Sequence, residues 1–253
     1  MRRSLVDQWT SAVDRAVGGD ARVSILYSGG LDSSVIAHTL RPKRPTLVTV
    51  GIMGAADIAA ATEGAQLLEL PLVVRTLTEG DVEEGLRTWG RQLDGMSETT
   101  RSVALGIALA SEAAPDHRVL CGQGADELFL GYAHFAGLPS ADLEQRANDD
   151  WQRLLDRDWP LAQVMVSTVE KRLGSPYLDP AFANEIRSIP IGERMVGGSR
   201  KPVLRQLARD LGVPSVLADR PKKALQFGSG LARLLRTMKG GRAPFESTGP
   251  TRE

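Results

Sequence analysis

A chain of 253 residues in which 31 lysines and arginines balance 31 aspartates and glutamates has no bulk charge to recommend nucleic acid or an anionic membrane as its main partner. Its 42% hydrophobic and 25% charged residues are those of a globular chain long enough to bury one sizeable core, with or without a helical annex. The single cysteine, Cys121, excludes an internal disulfide and a cysteine-based zinc cage, and the scattered histidines His38, His117 and His134 offer no transition-metal spacing; a reducing cytoplasm fits.

The opening MRRSLVDQWT is basic but amphipathic, and no stretch approaches the roughly 20 apolar residues that span a bilayer, so neither export nor membrane insertion is expected. Ser4 and Asp7 resemble a capping box, and Leu5, Trp9, Ala12, Val13 and Ala16 recur at helical spacing until Gly18 and Gly19 stop the run. VSILY (Val23–Tyr27), a glycine-rich turn, a helix to about Leu40 and TLVTVGI (Thr46–Ile52) then spell a βαβ unit. The cycle continues with a helix near Asp57–Leu68, a strand PLVVRTL, a helix near Thr99–Ala110 and a strand RVLC (Arg118–Cys121). Buried parallel strands separated by helices predict an α/β doubly wound sheet that binds its ligand at the carboxyl ends of the strands.

After Leu138 the texture is helical and no further β-rich run stands out. The expected organisation is an α/β core over 1–138, a helical part over 139–238 that completes the active site, and a flexible tail over 239–253. Rich in Gly, Pro and polar residues, that tail suits a frayed end or a lid that orders with ligand.

Three constellations could carry chemistry. SGGLDSS (Ser28–Ser34) directly follows the first strand and opens a helix; Gly29 and Gly30 let successive amides converge on an anion, and the serines add donors. It lacks the spacing and lysine of a Walker A loop, and Asp32 would repel a bare phosphate unless a hard cation such as magnesium lay between them. The plainer alternative is a capped glycine turn. CGQGADELFLGY (Cys121–Tyr132) follows another predicted strand, with Asp126 and Glu127 at a helix start, where either could ligate a cation or serve the helix dipole. Asp32 and Asp126 on neighbouring turns would make a two-carboxylate magnesium site facing a phosphate cradle. RPKKALQFGSG (Arg220–Gly230) carries Lys222 and Lys223, which could stabilise a leaving pyrophosphate or simply be solvated surface charge.

Together these motifs resemble the synthetase domain of the asparagine synthetase family, and SGGLDSS resembles the pyrophosphate loop of the wider PP-loop ATP pyrophosphatases. The resemblance runs from about Leu5 to Gly230 and is strengthened by PYLD (Pro176–Asp179) and KPVLR (Lys201–Arg205). It implies ATP and magnesium as cofactors. Ser28, Gly29, Gly30, Ser33 and Ser34 would bind phosphates, Asp32 and Asp126 the metal, and Lys222 the phosphates and adenylated intermediate. Leu26, Val50 and Gly51 would hold adenine and ribose, with Cys121 and Gly122 on the second turn beside the nucleotide. Thr99 and Arg101, in ETTRS, would grip a substrate carboxylate, bidentately in the case of the arginine, and Gln123 would also lie against the substrate.

Two departures shape the expectation. No glutaminase domain precedes the synthetase part, so nitrogen would come from free ammonia, a partner amidotransferase subunit or another amine. Gln123 stands where the family commonly carries a glutamate implicated in the amine step, and a neutral amide is no base near neutral pH. The leading expectation is an AMP-forming ligase that adenylates a small carboxylate or amino acid for attack by an amine, acting alone or as a homodimer. Open alternatives are a PP-loop enzyme that adenylates a tRNA base or other carbonyl, and a nucleotide-binding regulatory subunit without turnover.

Overall fold

The computed structural model describes residues 4–195, 200–220 and 229–240. Its centre is a five-stranded, wholly parallel sheet of β1 (Val23–Leu26), β2 (Thr46–Ile52), β3 (Leu72–Leu77), β4 (Arg118–Leu120) and β5 (Arg172–Gly174), ordered β3-β2-β1-β4-β5. The chain builds outward from β1 to β3, then crosses back to add β4 on the other side of β1. That reversal sets the carboxyl ends of β1 and β4 side by side at the point where the connections change direction, the usual place for a ligand crevice in such sheets. The apolar runs that signalled these strands follow from helices on both faces, which bury Val23 and Ile25 of β1, Leu47 and Val48 of β2 and Val119 and Leu120 of β4.

The opening helix α1 (Leu5–Val17) starts where Ser4 Oγ accepts from the Asp7 amide at 3.1 Å and stops at Gly18, which adopts the left-handed conformation. Its apolar stripe enters a core cluster that joins both sides of residue 138. Trp9 lies 4.8 Å from the Tyr177 ring and 5.2 Å from that of Phe182, and Leu204 and Leu207 close the same cluster around Ile25 and Leu120. The helices after β1 and β2 are α2 (Leu31–Thr39) and α3 (Ala56–Leu68).

Two elements lie beyond the sequence reading. Helix α4 (Glu79–Leu93) precedes α5 (Glu98–Glu112); it opens on a reciprocal cap in which Thr78 Oγ1 accepts from the Asp81 amide at 3.2 Å and Asp81 from the Thr78 amide at 2.8 Å. Val82, Trp89 and Leu93 bury its inner face. The second is β5, three residues long and set within the stretch expected to be helical. Pairing with β4 makes it a strand, continued by the Cys121 amide donating to the Gly174 carbonyl at 2.9 Å.

The remaining α-helices among the described residues are α6 (Ala125–Leu128), α7 (Ser140–Arg153), α8 (Trp159–Ser167), α9 (Pro180–Ser188), α10 (Ile191–Arg194), α11 (Pro202–Asp210), α12 (Ser215–Ala218) and α13 (Leu231–Gly240). None among the described residues is long and apolar enough to cross a membrane. The tail expected from 239 onward lies, from 241, outside the described residues.

Trp9 is fully buried, and its indole N–H donates to Thr39 Oγ1 at 2.8 Å. Trp9→Ala should therefore lower unfolding free energy by about 3–5 kcal/mol, read from urea unfolding followed by circular dichroism; a loss under about 1 kcal/mol would contradict a shared core.

Candidate active site

The β1 strand ends as the Tyr27 amide donates to the Val48 carbonyl at 2.8 Å, and the chain turns through Ser28–Gly30 into α2. Gly29 has φ 71°, and a Cβ there would collide with the Ala60 carbonyl of α3. The turn thus needs glycine both for its conformation and for its packing. Among the described residues no side chain caps α2, and the amides of such a first turn suit an anion or water. Ser33 Oγ donates to the Gly30 carbonyl at 3.3 Å, holding the loop from within. Ser34 is fully buried with its hydroxyl 3.0 Å from Tyr27 Oη, so it braces the loop from behind.

The β4 turn begins at Cys121, whose buried thiol is pushed up to about 12 by desolvation and stays protonated. Gly122 is so near α2 that a Cβ would stand 3.1 Å from Asp32 Cβ, which places the two turns in van der Waals contact. Ser175 Oγ donates to the Gln123 carbonyl at 2.6 Å, and Gly124 (φ 92°) opens α6.

Asp32 and Asp126, one from each turn, meet on a third residue. The Lys201 ammonium lies 2.6 Å from both Asp32 carboxylate oxygens and 2.7 Å from Asp126 Oδ1. The lysine side chain is 4% exposed, the two carboxylates 25% and 22%. Burial opposes its charge, but Asp126 and Asp32 outweigh that and hold its pKa above the usual lysine value. Lys201 reaches them from a left-handed backbone (φ 57°) immediately before Pro202. A Cβ at Gly131 would overlap both Asp126 Oδ1 and Lys201 Cε, so the backbone seals one side of the triad. Tyr177 Oη donates to the Asp32 carbonyl at 2.9 Å and anchors the first turn of α2 from below.

Glu127 points the other way. It is 6% exposed, accepts from Tyr132 Oη at 2.6 Å, and is raised to about 7 by desolvation and then by the Asp126 charge. Of the acidic pair at α6, only Asp126 therefore faces the crevice.

The donor set fits magnesium: two hard carboxylates converge from separate loops at a partly open rim, leaving other coordination positions to water and phosphate, and their joint charge exceeds that of Lys201. No group of three or more His, Cys, Asp or Glu able to hold a metal occurs among the described residues.

Leu26 ends β1, and Val50 and Gly51 lie near the end of the adjacent β2. The third motif returns to the same edge through its flanks. Arg220 donates to the Gly29 carbonyl at 2.9 Å and the Ala60 carbonyl at 3.0 Å, while the Ser229 carbonyl accepts from the Ile52 amide at 3.0 Å. Lys222 and Lys223 lie outside the described residues. Thr99 and Arg101 sit on the first turn of α5; Thr99 is exposed, and Arg101 Nε donates to the Leu93 carbonyl at 3.0 Å. Among the described residues no hydrogen bond joins either to the triad. Lys201, which joins the two carboxylates, has no signal in the sequence beyond its place at the head of KPVLR.

The asparagine synthase family model matches residues 4–174 and 164–240. A Methanocaldococcus jannaschii protein provisionally named a glutamine-hydrolyzing asparagine synthetase is 29% identical, the match covering 89% of this chain and 49% of that protein. Glutamine-hydrolyzing asparagine synthetases of Pongo abelii and Homo sapiens are 28% and 27% identical over 87% of this chain and 42% of theirs. The chain thus spans about half the length of the relatives it matches, or less.

Gly29→Ala should destabilise the fold by well over the roughly 1–2 kcal/mol that a left-handed alanine costs, because the methyl meets backbone. Gly54→Ala, also at positive φ (73°) but with nothing within 4 Å, should cost only that conformational amount. Paired thermal melts decide between them.

Glu127 supplies a pH test. Its carboxyl titrates near 7 when folded against a usual 4.5, so the native state holds the extra proton between those values and stability falls as pH rises through that window. Between pH 4.5 and 8 the wild type should lose on the order of 3 kcal/mol more than Glu127→Gln in urea unfolding. Parallel curves would refute the burial of an ionisable Glu127.

Proposed function

The chain belongs to the asparagine synthase family, and from that premise we propose that it is an ATP-dependent, AMP-forming ligase that activates a small carboxylate or amino acid for amide formation. The observation that carries this reading is the meeting of Asp32, Asp126 and Lys201 at the mouth of two glycine turns in the β1/β4 crevice. Such a place suits a polyphosphate accompanied by a cation.

In this proposal Leu26, Val50 and Gly51 border the adenine and ribose, Cys121 and Gly122 offer backbone from the second turn, and Ser28, Gly29, Gly30 and Ser33 face the phosphates. Ser34 supports that loop through Tyr27. Asp32 and Asp126 would hold magnesium, which when bound neutralises phosphate charge. The substrate carboxylate, gripped by Thr99 and Arg101, forms a bond to the α-phosphorus as the bond to the β-phosphate oxygen breaks. Lys222 would receive the leaving pyrophosphate. An amine nitrogen then bonds to the acyl carbon, AMP departs with the carbon–oxygen electron pair, and the amine proton goes to water or a second amine, since Gln123 cannot accept it. Ammonia, an amine or an amidotransferase partner would supply the nitrogen.

Asp32→Asn and Asp126→Asn should each lower AMP and pyrophosphate formation by about 100-fold or more while leaving the circular dichroism spectrum unchanged. The assay is ATP and magnesium with a panel of amino acids and small carboxylates, with and without ammonium. AMP formed with a single acid identifies the substrate. Tight ATP binding with no AMP from any acid or added RNA would overturn the ligase and leave a nucleotide-binding subunit.

A further inference from the structure

We propose that Lys201 is a positioning residue that closes the Asp32–Asp126 pair to free divalent cations, so that magnesium is admitted only together with nucleotide phosphates. The inference rests on the reading of those aspartates as metal ligands, and goes beyond it to the order in which the site fills.

An ammonium has three N–H donors, and Lys201 Nζ has three carboxylate oxygens within 2.6–2.7 Å. It therefore stands at the point where both carboxylates converge. A magnesium ion there would need oxygens at about 2.0–2.1 Å and could not share the position with another cation. The lysine has little room to yield within the pocket: its side chain is 4% exposed, and the Gly131 backbone lies against its Cε.

Nor does the ammonium leave cheaply on its own, because a buried charge stripped of its partners is strongly destabilised. Only a new anion at the same rim makes its withdrawal from the carboxylates favourable. The triphosphate of a nucleotide is such an anion: it can take over the ammonium, freeing Asp32 and Asp126 for the metal it carries. A metal arriving alone brings no replacement partner for Lys201. The positive-φ backbone of Lys201 adds to this picture, since a non-glycine residue before proline adopts that conformation only when its surroundings impose it. The ion pairs are part of what imposes it.

Manganese serves as the probe, with protein-bound metal measured by equilibrium dialysis, alone and with α,β-methylene ATP. The wild type should bind manganese at least tenfold more tightly with the nucleotide analogue than without. Lys201→Met should bind manganese alone at least tenfold more tightly than the wild type, and its melting temperature should rise more on adding manganese. Lys201→Arg, which keeps the charge, should stay weak for the metal alone. A merely structural lysine would not produce a gain of metal affinity on its loss. Equal affinities of wild type and Lys201→Met for manganese alone would overturn the proposal. Should Lys201→Met fail to fold, wild-type binding that is equally tight with and without the analogue overturns it just as directly. Failure of the parent reading looks different: manganese would then bind to neither form with the analogue present, or would bind undiminished to Asp32→Asn.

Discussion

Two carboxylates held within roughly 5 Å of each other repel by about 3 kcal/mol at the effective dielectric of a protein surface, and the fold sustains that proximity by placing one buried ammonium between them. Most of what surrounds the crevice serves this arrangement. The β1–β4 adjacency sets Asp32 and Asp126 on neighbouring turns, and α11 presents Lys201 from a point about 170 residues further along the chain than Asp32. Removing the lysine would leave two like charges facing each other, while removing one aspartate would leave a buried ammonium half paired. The triad as it stands is a closed ion cluster, and only in the proposal above does it open to a cation.

The turns that carry the triad are held by contacts that leave little slack. Gly29 presses against α3, Gly122 against the first turn of α2, Gly124 against Leu178 and Gly131 against the triad itself. Four side chains complete the support: Arg220 on the Gly29 carbonyl, Tyr177 on that of Asp32, Ser175 on that of Gln123 and Ser34 on Tyr27. Backbone amides fixed in this way need no rearrangement to meet an anion, the condition under which electrostatic stabilisation is most effective. Asp126 and Glu127 show how local the selection is. Adjacent on a four-residue helix, one meets Lys201 at the rim and the other is buried on Tyr132, so the first keeps its charge paired while desolvation raises the pKa of the second.

Legibility in the sequence tracked the strength of local signals. β2 matched its apolar run residue for residue, and α1 stopped at the glycine that predicted its end. Helix α4 carries its cap, Thr78 and Asp81, and its buried stripe in the sequence, but its many polar residues obscure the helical period. β5 offered no such signal. A three-residue strand has too few positions for a pattern and exists because β4 has an open edge. The family resemblance groups Ser34 with the phosphate-binding serines, whereas the helix turns its hydroxyl inward to Tyr27, a matter of rotation about the helix axis.

By itself, the sequence determined the alternation of strand and helix, and so the parallel sheet and the edge at which its glycine turns would bind a ligand, because hydrophobic period and glycine placement are local properties of a chain. It also determined which two turns carry the carboxylates. Only the tertiary structure decided that those carboxylates converge on Lys201, that Glu127 turns away from them, and that Arg220 grips the first loop from behind. Each of these depends on distances between segments far apart in the chain, which are set when the core closes and are written in no single stretch of residues.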